Sequence, residues 1–119
     1  MNETGSFVLT LLHAATNAHL LHLKSKSYSE HMALGAFYEA LPGLVDALAE
    51  SIQGLKGELI EYPVDYYQPA DTAIQELEDL QEYVREERKN IPQDSEIQNA
   101  TDAIAELINS TLYKLRFLK

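Results

Sequence analysis

Three of the chain's four histidines lie in the stretch HLLHLKSKSYSEH, residues 19–31, and two carboxylates follow at helical spacing. Asp46 comes fifteen residues after His31, and Glu50 comes four residues later. Imidazole nitrogens combined with carboxylate oxygens suit iron, manganese or zinc, whereas calcium prefers oxygen alone. The candidate metal ligands are therefore His19, His22, His31, Asp46 and Glu50.

The periodicity of apolar residues predicts four helices that would position these side chains. They are expected over about Ser6–Leu23, Ser27 to Gly54 or Gly57, Asp71–Asn90, and from Asp94 or Ser95 to near the C-terminus. Ser27 and Glu30 predict a capping box at the start of the second helix, and Pro42-Gly43 predicts a kink or local break inside it. Residues 57–70 contain two prolines and three tyrosines, which indicates an ordered linker.

The lengths of the connections predict how the helices are arranged. The first and last connections are short and the middle one is long, which favours an all-α four-helix bundle with a crossover between helices two and three. This is the connectivity of ferritin-like folds, and we expect it to form a single domain over residues 1–119. An up-down-up-down bundle with a loose middle loop is the alternative.

A metal centre inside the bundle is not expected. The ferritin-like di-iron site needs Glu-x-x-His motifs, and the chain has none. The inner faces of helices three and four are predicted to carry neither carboxylate nor histidine. His13 and Asn17 are expected on the polar side of helix one, and Tyr62, Tyr66 and Tyr67 are expected to cover a bundle end or a dimer seam.

The distance along the second helix decides how the ligands could meet. Fifteen residues at ~1.5 Å each separate His31 from Asp46 by roughly 22 Å, whereas metal–ligand bonds are only ~2 Å long. A two-fold dimer in which this helix crosses its mate antiparallel near residue 39 or 40 would bring His31 to Asp46 and Glu50 of the other chain. His22 would join from across the short loop. The wide apolar arc of helix one also favours a homodimer or a higher homo-oligomer.

One pattern resembles the ferroxidase signature of the Dps-type mini-ferritins: His31, Asp46 and Glu50 at these spacings, and then a short segment with an Ile and a Gly. The resemblance implies a ferritin-like fold, iron sites between two-fold-related subunits, and oxidation of Fe(II) by peroxide or dioxygen. Two residues are candidates for the first ligand. His22 is followed four residues later by a lysine, as in the family's local pattern, and we favour it. The family's spacing between its two histidines selects His19 instead. The segment KSYSEHMALGAFYEAL also resembles the sequences of short phage-encoded proteins with a ferritin-like fold.

The resemblance therefore implies an iron-binding protein with ferroxidase-type chemistry, for which zinc or manganese are the other candidate metals. A second hypothesis is a non-catalytic helical scaffold, or a phage structural or host-interaction protein that has kept the fold without metal chemistry. A third is an acidic protein that binds a basic partner. Whether the chain is an enzyme is left open by its sequence.

Composition excludes several other classes. Nineteen acidic and nine basic residues give a net charge of −10, which repels phosphate backbones and disfavours nucleic-acid binding. The absence of cysteine excludes disulfides and thiolate metal sites. No apolar run approaches the ~18 residues of a membrane span, and no basic segment precedes an apolar one as in a secretory signal. We expect a cytoplasmic protein, located in the host cytoplasm or the virion if it is phage-encoded.

Overall fold

The computed structural model describes residues 2–119, and over that range it contains helices and no strand. The helices are α1 (Asn2–Lys24), α2 (Tyr28–Lys56), α3 (Ala73–Glu87) and α4 (Ser95–Phe117), with a 3₁₀ turn at Arg88–Asn90 after α3. The prediction of an all-α chain with four helices is confirmed. The third helix is shorter than predicted, because Thr72 caps its start by accepting a hydrogen bond from the Gln75 N–H, and its last predicted turn is 3₁₀.

Apolar side chains from all four helices form one core. Helix α1 packs against α2 and α3, and α4 packs against the same two helices. The largest fully buried side chains are Phe7, Leu11, Leu34, Phe37, Leu41, Leu48, Ile52, Leu77, Ile97, Ile104, Ile108 and Leu112. Burying a side chain of this size stabilises the fold by about 1.5–3 kcal/mol. Burial of apolar surface in this shared core is therefore the main contribution that holds the helices together.

Helix α2 is continuous through Pro42, so of the predicted kink or local break, the break is wrong. A proline inside a helix removes one backbone hydrogen bond, which costs about 3 kcal/mol. Leu41 and Val45, which flank Pro42, are both buried in the core, and their packing on both sides of the proline offsets that cost. The helix ends at Gly57, which adopts a left-handed conformation with φ of 69°.

The short connection between α1 and α2 is held by side chains of its own. Ser27 caps α2 by accepting a hydrogen bond from the Glu30 N–H at 3.3 Å. The second half of the predicted capping box is wrong, because the Glu30 carboxylate accepts from the Ser25 hydroxyl at 2.6 Å. The Ser27 N–H donates to that same Ser25 oxygen. Polar contacts between neighbouring residues therefore fix the turn.

The linker between α2 and α3 follows α1 from its N-terminal turn. A Cβ at Gly5 would overlap the carbonyl oxygen of Glu61, so the linker backbone lies directly on that glycine. Farther along, Tyr66 lies against His13, and Asn17 donates to the Tyr67 carbonyl oxygen at 3.4 Å. Asn17 was expected on a polar surface, and this expectation is wrong because the linker covers it.

The outer face of helix α2 is not covered by any other element among residues 2–119. Residues Ala36, Ala40, Gly43 and Ala47 are exposed there, at spacings of three and four that place them on one side of the helix. By length and composition α2 is apolar enough to cross a membrane. Core helices meet the same criterion, and α2 also buries a full face against α1 and α4.

Candidate functional site

The structure brings His22 and His31 together at the turn between α1 and α2. His22 lies in the last turn of α1 and His31 in the first turn of α2. Their rings are stacked with centroids 3.7 Å apart and planes tilted by 17°. Because the connecting turn is only three residues long, the end of one helix and the start of the next place these side chains side by side.

Two reciprocal hydrogen bonds orient the rings. His22 Nδ1 lies 2.6 Å from the His31 carbonyl oxygen, and His31 Nδ1 lies 2.9 Å from the His22 carbonyl oxygen. A carbonyl oxygen can only accept, so each Nδ1 carries a hydrogen, and in the neutral ring the lone pair is therefore on Nε2. The His22 carbonyl is one of the last four of α1, which lack a partner inside the helix, so His31 also caps α1.

Gly35 makes room for the His22 ring. A Cβ at this position would lie 3.1 Å from Cε1 and 3.3 Å from Nδ1 of His22. A glycine inside a helix costs about 0.5–1 kcal/mol relative to alanine. The close approach of the ring to the α2 backbone explains why a glycine stands here.

His19 lies beside the pair and does not join the reciprocal bonds. Its ring is exposed and stacks on Tyr38 with centroids 3.9 Å apart, and it meets His22 edge-on at 6.0 Å. Tyr38 also meets His22 edge-on. Three histidines and one tyrosine thus form a continuous cluster of rings along the α1–α2 seam, in which His22 and His31 are the closest pair.

Asp46 and Glu50 lie on the exposed side of α2, away from the histidines of the same chain. Because α2 is unbroken, the separation of roughly 22 Å between His31 and Asp46 along the helix applies directly. Within residues 2–119 of one chain, no group of three or more histidine, aspartate or glutamate residues is placed to hold a metal ion. One chain alone therefore presents the two histidines and the two carboxylates separately.

Sequence reasoning missed a buried carboxylate, because Glu76 faces inward from α3 and is only 4% exposed. One of its oxygens accepts from the Ala70 N–H at 2.8 Å and the other from the Tyr67 hydroxyl at 3.4 Å. The prediction that the inner face of the third helix carries no carboxylate is wrong. The signal was present in the spacing, since Glu76 lies three residues after Ala73 and four before Leu80, on one helical face with both.

Glu76 lies at the edge of a cavity of about 360 Å³ between α1, the linker and α3. His13, expected to be exposed, is half-buried in its wall, with its ring 5.6 Å from Tyr66 and 6.2 Å from Tyr67. Burial, and then the negative charge of Glu76, raise the pKa of the Tyr67 hydroxyl. That hydroxyl therefore stays protonated and acts as a donor at neutral pH.

Comparison with known protein families gives a match over most of the chain. The sequence model of DUF5856, described as a family of unknown function, matches residues 22–115. The matched region begins at His22 and includes His31, Asp46 and Glu50, while His19 lies outside it. No curated protein and no solved structure matches the chain.

Proposed function

Since the chain belongs to the DUF5856 family of unknown function, we propose its function from its own geometry: it binds Fe(II) between two copies of itself. His22 and His31 of one chain supply nitrogen ligands, and Asp46 and Glu50 of the other supply oxygen ligands. His19, on the edge of the ring cluster, is the alternative first ligand. Iron is favoured by the resemblance to the Dps-type mini-ferritins, and zinc and manganese are the other metals that this ligand set suits.

The observation that carries the proposal is the pairing of His22 with His31. Histidines that bind metals usually donate the other ring N–H to a carbonyl or carboxylate, which fixes the tautomer and the ring orientation. Both rings have this arrangement, with Nδ1 held by a backbone carbonyl. Neither Nε2 has a hydrogen-bond partner among residues 2–119. In the neutral rings, the Nε2 atoms of His22 and His31 could therefore each bind a metal ion.

The stacking of the rings bears on how many ions would bind. Parallel rings 3.7 Å apart do not direct two lone pairs at one point. Binding of a single ion by both rings requires one ring to rotate, whereas binding of one ion per ring does not. Paired metal ions in proteins commonly lie about 3.5–4 Å apart. Carboxylates from the other chain would neutralise the charge and bridge two ions.

The outer face of α2 supports the dimer. Ala36, Ala40, Gly43 and Ala47 would let two antiparallel α2 helices approach closely. Asp46 and Glu50 border this face and would reach the histidines of the second copy. On α1, the exposed leucines Leu12, Leu20 and Leu23 offer further apolar surface to a second copy.

A ferritin-like bundle with a crossover between α2 and α3 is part of the proposal. The order of helix neighbours favours it, since α1 and α4 each pack against both α2 and α3. The path of the linker favours it too, because it follows α1 from Gly5 to Asn17, and Tyr83 of α3 then stacks on Phe7 near the start of α1. Oxidation of iron by dioxygen or peroxide, and a cytoplasmic location, are the further expectations of this proposal.

Calorimetry with Fe(II) under anaerobic conditions, and with Mn(II) and Zn(II), tests the site on untagged protein. We expect saturable binding by the wild type and its loss in both His31→Ala and Asp46→Ala, since each removes a ligand from both sites of a dimer. Mixing the two variants should restore one intact site per heterodimer, because one chain then supplies the histidines and the other the carboxylates.

Two controls separate ligand loss from unfolding. His13→Ala and Glu106→Ala change a histidine and a carboxylate outside the site, and both should bind like the wild type. Circular dichroism should show that His31→Ala remains helical despite losing the cap on α1. If the wild type binds none of the three metals, or if mixing restores nothing, the inter-subunit site is wrong and the non-catalytic scaffold becomes the better hypothesis.

A further inference from the structure

The cavity between α1, the linker and α3 is separate from the histidine pair. Its volume of about 360 Å³ lies at the low end of the range of roughly 300–1,000 Å³ found for small-molecule pockets. Its apolar wall includes Leu9, Leu80 and Pro63. This wall would contact the apolar part of a compact ligand.

Carboxylates give the cavity an excess of negative charge. Asp65, Glu76 and Asp79 line it, and no lysine or arginine in the described part of the chain does. Glu76 is buried and forms no ion pair within the described chain, since its partners there are the Ala70 N–H and the Tyr67 hydroxyl. Buried charges in proteins are normally paired with an opposite charge, and this one has only neutral donors.

Aromatic rings complete the wall. Tyr66, Tyr67 and Tyr83 line the cavity together with His13. Faces of aromatic rings attract cations, and the attraction strengthens when water is excluded. Burial and the charge of Glu76 raise the pKa of Tyr67, so this hydroxyl adds no negative charge at neutral pH. The unpaired charge of the cavity is therefore that of its carboxylates.

We propose that this cavity binds a small organic cation, with its ammonium group at Glu76 and its apolar body against Leu9, Leu80 and the tyrosine rings. The apolar wall and the volume select a compact body, and the unpaired carboxylate selects the positive charge. An anionic ligand is excluded because it would meet three carboxylates. The site lies on the other side of α1 from the α2 seam and does not depend on metal binding or on a dimer.

Isothermal titration of the full chain with benzylammonium and with benzyl alcohol tests the charge selection. The two probes have nearly the same shape and differ in charge, so the apolar wall binds both alike. We expect saturable binding of benzylammonium at least about tenfold tighter than that of benzyl alcohol. Glu76→Gln keeps an acceptor for the Ala70 N–H and should abolish this preference. Glu82→Gln, on the exposed side of α3, removes the same charge away from the cavity and should preserve it.

Amide chemical shifts of the wild type locate the bound probe without relying on any variant. Shifts at Thr10, His13 and Tyr67 on adding benzylammonium support the cavity. Absence of saturable binding, equal affinity for the two probes, or shifts confined to other parts of the chain would each overturn the proposal. A Glu76→Gln protein that is folded by circular dichroism and still prefers the ammonium would overturn it as well.

Discussion

At the scale of single residues, Gly35 is the position where the histidine pair constrains the helix that carries it. Replacing a glycine inside a helix with alanine ordinarily stabilises a protein by about 0.5–1 kcal/mol. In Gly35→Ala the new methyl group would press on Cε1 and Nδ1 of His22, whose ring is held between the α2 backbone and His31. We expect the gain to be cancelled or reversed, as measured by urea unfolding.

Gly54→Ala is the matched control for this substitution. Gly54 is also inside α2, and a Cβ there would meet nothing within 4 Å. This variant should show the ordinary gain, up to about 1 kcal/mol. If Gly35→Ala is stabilised as much as Gly54→Ala, the His22 ring is not fixed against α2 as described.

Tyr67 should make the stability of the fold fall at high pH. Burial, and then the charge of Glu76, raise the pKa of its hydroxyl in the folded state above the ordinary value of about 10. Above that pH the unfolded chain releases this proton while the folded chain keeps it, so the free energy of unfolding falls as pH rises. The expected slope is about 1.4 kcal/mol per pH unit for one proton.

Urea unfolding of the wild type and of Tyr67→Phe between pH 9 and 12 measures this effect. The variant should be somewhat less stable at pH 9, because Glu76 loses a donor, and its stability should fall less steeply as pH rises. Burial also raises the pKa of Tyr83, so Tyr67→Phe/Tyr83→Phe should be flatter still. An unchanged slope in Tyr67→Phe would contradict the assignment.

At the scale of elements, the linker is held on α1 by a contact that only a glycine permits. In Gly5→Ala the added methyl group would overlap the carbonyl oxygen of Glu61, and the linker backbone would have to move away from the helix. Forcing extra atoms into a packed site typically costs about 1–3 kcal/mol. We expect a loss of that size in the free energy of unfolding, measured with urea.

Val64→Ala tests whether this loss comes from the contact with α1. Val64 is fully exposed in the same linker, so shortening it should change stability by less than about 0.5 kcal/mol. The Gly5→Ala variant should also give weaker benzylammonium binding, because the displaced linker forms one wall of the cavity. A Gly5→Ala protein as stable as Val64→Ala would show that the linker is not packed on α1.

At the scale of the whole molecule, the outer face of α2 is expected to join two copies. Ala40 lies at the middle of that face, so Ala40→Glu would place two like charges near the two-fold axis of the proposed dimer. Sedimentation equilibrium at micromolar concentration should show a dimer for the wild type and a monomer for the variant. Asn99→Glu adds the same charge on the exposed side of α4 and should remain dimeric.

A wild-type monomer at this concentration would remove the basis of the inter-subunit metal site. It would leave the cavity unaffected, since the cavity is formed within one chain. A dimer that survives Ala40→Glu would place the interface elsewhere on the surface. The metal titration and the sedimentation experiment therefore test separate parts of the proposal.

Local patterns in the sequence were enough to locate four helices, although α1 begins earlier and α3 is shorter than predicted. Apolar residues at spacings of three and four defined the four segments. Ser27 marked the start of α2, and of the two predicted ends, Gly54 and Gly57, the structure has Gly57. The short turn after α1 was sufficient to place His22 near His31. The distance of roughly 22 Å between His31 and Asp46 also followed from sequence, because the rise of a helix per residue is fixed.

Only the tertiary structure decided which polar residues the linker covers. Asn17 and Glu76 are buried because the linker lies over α1 and α3, and the path of a linker depends on contacts between residues far apart in sequence. Continuity of α2 through Pro42 likewise depends on core packing on both sides of the proline. The reciprocal bonds of the two histidines needed the relative orientation of two helices, which no local pattern specifies, because orientation is set by how side chains of the whole core fit together.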